Sequence, residues 1–166
     1  MQIELNQVFT FSCPAVFGTL SQERVNRLFK DGRRASGFLE LQLEEWFPDI
    51  TFVDGKGYDF TDTLGKKYES KTFTVRGTDY SASKYKGVGR QLDLLEHTTN
   101  ASHLIYIFCD IVEFPQVRVL FIEGTTLLQK FPNNKISFKR RGELFKSINK
   151  DDRADSSASA NLRYSC

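Results

Sequence analysis

The chain has 166 residues, of which 40% are hydrophobic and 27% charged, and a formal net charge of +2. That size and mix suit one domain with its own core and exclude a collagen-like or low-complexity polymer. The longest apolar run, 104–109, is strand-sized and far short of the ~18 apolar residues of a membrane span. The start Met1-Gln-Ile-Glu-Leu-Asn lacks the basic opening and apolar stretch of a secretory signal. Cys13, Cys109 and Cys166 are odd in number, far apart and without a C-x-x-C spacing. The reading is therefore a cytoplasmic protein with reduced thiols and no membrane partner.

In chain order, 3–11 predicts a strand, and Ser21 caps a short helix on which Val25, Leu28 and Phe29 share a face, ending near Gly32. A second helix fits 36–46, where Leu39, Leu43, Trp46 and Phe47 recur at helical spacing and Pro48 stops it. Strands at 50–53, 58–61 and 67–75, separated by Gly turns, predict an antiparallel meander. Residues 76–87 are polar and read as a loop. Val88, Leu92 and Leu95 place an apolar stripe on a helix closing near Asn100. Residues 103–112 predict the central buried strand, followed by a strand at 117–123 and a short helix at 125–131. No internal repeat is present. One domain spans 1–150, and 151–166 reads as a polar, loosely held tail. The fold class is α/β, a mixed sheet flanked by helices in the order helix, three strands, helix, strand.

Charge is unevenly distributed. Residues 24–34 carry Arg24, Arg27, Lys30, Arg33 and Arg34 against Asp31, 71–90 carry Lys71, Arg76, Lys84, Lys86 and Arg90 against Asp79, and 135–150 carry a third basic block. Between 40 and 62 the balance reverses, with seven carboxylates against Lys56 alone. An acidic patch framed by basic segments suits a site that holds a cation while its surroundings hold a polyanion. Alternation along a strand points Glu69 and Lys71 to one face, and antiparallel pairing across the Asp62–Gly65 turn would bring Asp59 near Glu69. Two carboxylates held together repel unless one is protonated or a cation lies between them. An oxygen-rich pair with a Lys at its edge suits magnesium.

These residues carry a resemblance. Pro48-Asp49 … Asp59 … Glu69-Ser70-Lys71 resembles the signature of the PD-(D/E)XK nuclease superfamily. The string Asp59-x-x-Asp62-x-x-Gly65-x-x-Tyr68-Glu69-x-Lys71 is similar in spacing to the catalytic hairpin of the PvuII-like type II restriction endonucleases. The likeness covers 59–71 in residue detail and about 36–131 in element order.

The resemblance implies a restriction-endonuclease-like core and a magnesium-dependent, site-specific endodeoxyribonuclease that cuts double-stranded DNA as a homodimer, with manganese as a substitute ion. Asp59 and Glu69 would hold the metal with the Ser70 backbone carbonyl, and Lys71 would orient the attacking water. Glu40, Glu44, Asp49 and Asp62 are auxiliary candidates. The His-rich base-reading stretch of those enzymes has no counterpart after Lys71, so no target sequence transfers.

Arg76, Lys84, Lys86 and Arg90 of the following loop, with Lys139, Arg140 and Arg141, are the candidate DNA contacts. His97 and His103 lack zinc-like spacing and read as capping or surface residues. A homing endonuclease, a Holliday junction resolvase, or a non-catalytic DNA-binding protein with a decayed site remain alternatives on the same core.

Overall fold

The computed structural model describes residues 1–53, 57–82, 91, 93–146 and the backbone of 163–165. The chain opens on β1 (Val8–Ser12), followed by α1 (Gln22–Phe29) and α2 (Gly32–Trp46). Three strands come next, β2 (Ile50–Phe52), β3 (Phe60–Asp62) and β4 (Lys67–Phe73), and then the short β5 (Thr78–Asp79). Helix α3 (Leu94–Ser102) leads into β6 (Ile105–Asp110), β7 (Gln116–Glu123) and α4 (Gly124–Lys130). The chain then forms β8 (Lys135–Ile136), a 3-10 turn (Phe138–Arg140), α5 (Arg141–Leu144) and β9 (Arg163–Ser165).

The protein is mixed α/β. Its main sheet runs β2-β3-β4-β6-β7-β1-β9, and β5 pairs separately with β8. Strands β2, β3 and β4 form an antiparallel meander, whereas β4 and β6 are parallel with α3 in the crossover between them. A parallel connection needs such a crossover, because a tight turn can only reverse the chain.

Alternation along the strands divides the core into two layers. Ile107, Cys109, Val117, Val119 and Phe121 meet Val25 and Phe29 of α1 and Leu39 and Leu43 of α2. On the other face Tyr106, Phe108, Leu120 and Ile122 meet Ala101, Leu127 and Leu144 from α3, α4 and α5. Because β6 is covered on both faces, it reads as a continuous apolar run rather than an alternating one. Each fully buried Phe or Leu contributes about 1.5–3 kcal/mol of transfer free energy. These two layers hold β4 and β6 firmly.

Several expectations need correcting. Helix α2 starts at Gly32, four residues early, because the Asp31 side chain accepts the Arg33 amide at 3.1 Å and caps the first turn. Asp93 likewise caps α3 through the Glu96 amide at 2.9 Å, and this helix buries His97 and Ala101 while Leu95 is 80% exposed. The N-terminal strand begins at Val8, with Leu5 making only an isolated bridge to Phe121. From the tail, Arg163–Ser165 pairs in parallel with β1, and 147–162 lie outside the described residues. His103 is the C-cap of α3, as a capping residue should be, but His97 is buried rather than at the surface. Among the described residues no helix is long and apolar enough to cross a membrane.

Candidate functional site

Strands β3 and β4 pair only at Phe60 with Tyr68 and at Thr61 with Lys67. The turn between them is fixed by Asp62, whose Oδ1 accepts the amides of Leu64 and Lys66, each at 2.9 Å, while Oδ2 accepts the Tyr68 hydroxyl at 2.9 Å. These bonds outweigh its partial desolvation and hold the Asp62 carboxyl below its ordinary range. Asp62 is therefore a turn-forming residue.

At the other end of β3 the chain leaves β4. The Asp59 amide donates to the Tyr68 carbonyl at 2.9 Å, and its carbonyl accepts the Val53 amide at 2.8 Å. The next outward donor on β4, the Ser70 amide, meets a side chain instead of a strand: Asp59 Oδ2 accepts it at 2.7 Å. Amide and carbonyl of one strand residue point to the same edge, so the Ser70 carbonyl also leaves β4 beside Asp59.

Glu69 and Lys71 point to the same face as Phe73. Their side chains are only 12% and 11% exposed, and the Lys71 ammonium donates to the Glu69 carboxylate. Glu69 stands opposite Tyr106 on β6. Burial, the Glu69 carboxylate and Tyr80 together push the Tyr106 hydroxyl up, so it stays protonated. A third carboxylate arrives from α2. Burial pushes Glu40 above the ordinary carboxylate range, Asp59 and Glu69 push it further, and Lys71 pulls it down. Glu40, Asp59, Glu69 and Lys71 thus share one electrostatic neighbourhood.

Beneath it the Cys109 thiol is pushed up by burial, then by Glu40 and Asp110, while the Ser70 hydroxyl acts the other way. The described Cys13 and Cys109 are both buried, and the Cys13 thiol donates to Gln42 Oε1 at 3.4 Å.

The remaining auxiliary candidates lie elsewhere. Glu44 accepts the Phe52 amide at 2.7 Å and so secures β2 against α2. Asp49 precedes Ile50, which pairs with Asp62, placing it at the end of β3 remote from Asp59. Sequence spacing could not separate Glu40 from Glu44, because one helical turn decides which of the two faces β4.

The basic candidates also divide. Arg76 is exposed in the turn after β4, and Lys139 is exposed too. Lys84, Lys86 and Arg90 lie outside the described residues. Arg140 is held by both oxygens of Glu143, at 2.7 and 2.6 Å, and by the Lys130 carbonyl at 2.9 Å, with its guanidinium 4.2 Å from the Phe131 ring centre. Arg141 reaches Asp110 and Glu113, each at 2.8 Å. The run 139–141 is therefore not a uniform phosphate-binding strip, since two of its three cations have intramolecular carboxylate partners.

Among the described residues no three His, Cys, Asp or Glu side chains form a ready metal cage. The oxygen groups found along this stretch of β3 and β4 are the Asp59 carboxylate, bonded to the Ser70 amide, and the neighbouring Ser70 carbonyl and Glu69 carboxylate, with Glu40 within electrostatic reach. That chemistry fits a hard cation that takes one or two carboxylates and keeps several waters. Comparison with protein-family models, curated proteins and solved structures returned no match for this chain.

Proposed function

We propose that this protein is a magnesium-dependent endodeoxyribonuclease that hydrolyses phosphodiester bonds at a specific site in double-stranded DNA, in the manner of a type II restriction enzyme. The observation that carries the reading is the Asp59–Ser70 contact next to the Glu69–Lys71 pair. It supports the reading because the Asp59 carboxylate is held against β4 beside the residues that carry the second carboxylate and the ammonium. The order α2, antiparallel β2-β3-β4, α3 and parallel β6 supports the restriction-endonuclease-like core.

Asp59, Glu69 and the Ser70 carbonyl would hold the magnesium, with manganese as a substitute. Bound there, the ion stabilises charge on a phosphoryl oxygen and lowers the pKa of coordinated water. Asp59 is kept in place by the Ser70 amide. Lys71 exchanges its bond to Glu69 for a non-bridging phosphate oxygen and offsets the charge that builds there. Its low exposure makes that charge more effective than a solvated ammonium would be. A double-strand cut calls for one such site per strand, so a homodimer on a palindromic site is part of the proposal.

The test is cleavage of supercoiled plasmid with and without magnesium, followed by sequencing of the ends. Discrete linear fragments with uniform ends are expected from the parent protein. Asp59→Asn and Lys71→Met should each lower the rate by roughly 10²-fold or more. Cutting by Asp59→Asn at the parental rate would remove the site assignment, and cutting restricted to four-way junctions would move the substrate to a resolvase type.

A further inference from the structure

The proposed site leaves a run of exposed cations among the described residues unassigned. Arg24 and Arg27 on α1, Lys30 just after it, and Arg33 and Arg34 at the start of α2 are all exposed. Arg24 and Arg27 lie one turn apart on the solvent side of a helix that buries Val25 and Phe29. Two carboxylates accompany them. Glu23 is exposed, and Asp31 is engaged with the Arg33 amide at 3.1 Å and with Arg34 at 3.8 Å.

The packing of this corner gives it a place relative to the site. A Cβ on Gly32 would come within 3.1 Å of the Thr74 methyl and 3.4 Å of the Thr72 methyl. The missing side chain lets the α1–α2 corner lie directly on the end of β4. Thr72 follows Lys71 directly in β4, its side chain on the α1–α2 face of the sheet and that of Lys71 on the other. Thr74 opens the tight turn closed by the Thr74 and Gly77 backbone bonds of 3.2 and 2.8 Å, and this turn presents Arg76 to solvent. Cations from α1, the start of α2 and the 74–77 turn are thereby gathered at the same end of the strand that carries Lys71.

We infer that this corner is a phosphate-contact surface for duplex DNA, seating one flank of the substrate at the end of β4 near which Lys71 lies. The inference rests on the nuclease reading and adds a binding surface to it. A duplex suits the surface because its phosphates form a dense line of negative charge, and cations spread over several elements can neutralise several of them at once.

The experiment compares the parent protein with Arg24→Gln/Arg27→Gln/Lys30→Gln/Arg33→Gln, and with the single variants Arg27→Gln and Arg33→Gln. Duplex binding is followed by fluorescence anisotropy in EDTA over a series of salt concentrations, and plasmid cleavage is measured in parallel. All four positions are exposed, so superimposable circular dichroism melts are expected. The salt slope of log Kobs should be shallower by about three to four in the quadruple variant and by about one in each single variant. Cleavage at saturating DNA should be retained while the DNA concentration needed for half-maximal rate rises. A quadruple variant with the parental slope overturns the surface and leaves the nuclease reading standing if plasmid is still cut. A parent protein that neither binds nor cuts duplex overturns both.

Discussion

The carboxylate of Asp59 accepts a 2.7 Å hydrogen bond from the backbone amide of Ser70, eleven residues ahead in sequence and across the β3–β4 hairpin. The bond completes the edge of β4 where β3 has turned away, so one side chain both finishes the sheet and marks the proposed metal site. Stability and activity can be separated at this position by the choice of substitution.

Asp59→Ala leaves the Ser70 amide without its partner and should cost about 1–2 kcal/mol in urea denaturation. Asp59→Asn keeps an acceptor oxygen for that amide, so it should recover most of this loss while removing the charge. Both variants should fail to cut plasmid. In EDTA both should bind duplex at least as tightly as the parent, because one carboxylate no longer repels phosphate. Equal stability of the two variants would deny the Asp59 side chain its role at the strand edge.

A second consequence concerns pH. His97 is 3% exposed, packs against Tyr80 with ring centres 5.5 Å apart, and its Nε2 has no hydrogen-bond partner among the described residues. Burial pushes the imidazole below its ordinary value of about 6.5, with the Asp79 carboxylate acting in the opposite direction. Between the lowered folded value and the unfolded one, the unfolded chain binds more protons, so stability rises with pH. The contribution is complete above about pH 6.5 and is lost as pH falls through the folded value. Urea midpoints of the parent should therefore drop between about pH 7.5 and pH 5 by more than those of His97→Phe. An identical drop in both would show that the loss comes from other groups.

Backbone geometry supplies a third test. Gly77 has a φ of +77°, and a Cβ there would lie 2.1 Å from the Ile136 carbonyl oxygen. The close approach is what allows β5 and β8 to pair at Thr78 with Ile136. Gly77→Ala meets both the left-handed penalty of about 1–2 kcal/mol and a clash with backbone that has little room to move. The thermal midpoint should fall by on the order of 10 °C, corresponding to roughly 3 kcal/mol in a domain of this size. A shift within a degree or two would mean that the β5–β8 ribbon separates easily.

Legibility in the sequence followed the range of the interactions. Strands β4, β6 and β7 were readable because their patterning is local, and the pairing of Asp59 with β4 was readable because a tight turn sets the distance. Glu40 was only one of several acidic candidates, since its approach to Asp59 depends on how α2 packs on the sheet. Leu95 was expected inside and lies outside, because the face of α3 that packs on the sheet carries His97 and Ala101, while Val88 and Leu92 of the expected stripe lie outside the described residues. The Lys139-Arg140-Arg141 run looked like a uniform basic strip for a similar reason. The Asp110 partner of Arg141 is 31 residues away, and its other partner, Arg118, is set only by the β6–β7 register.

That register leads to the last prediction. Asp110 is fully buried, and its Oδ2 is shared by Arg118 at 2.5 Å and Arg141 at 2.8 Å, while Oδ1 accepts the Val112 amide at 3.1 Å. Arg118 also lies 4.9 Å from the Phe145 ring centre, so the cluster ties the β6–β7 hairpin to the chain around α5. Removing the shared carboxylate takes the carboxylate partner from Arg118 and leaves Arg141 with Glu113 alone, so Asp110→Ala should cost about 3 kcal/mol, a figure kept at the low end because both Arg side chains reach solvent. Arg141→Met leaves Asp110 with Arg118 and should cost less than Asp110→Ala. Arg140 is engaged by Glu143, so Arg140→Gln should leave the salt slope of duplex binding unchanged, whereas Lys139→Gln should lower it by about one if Lys139 touches phosphate. A drop of about one for Arg140→Gln would mean that DNA displaces Glu143 from its guanidinium, and the run would then regain its role as a continuous phosphate contact.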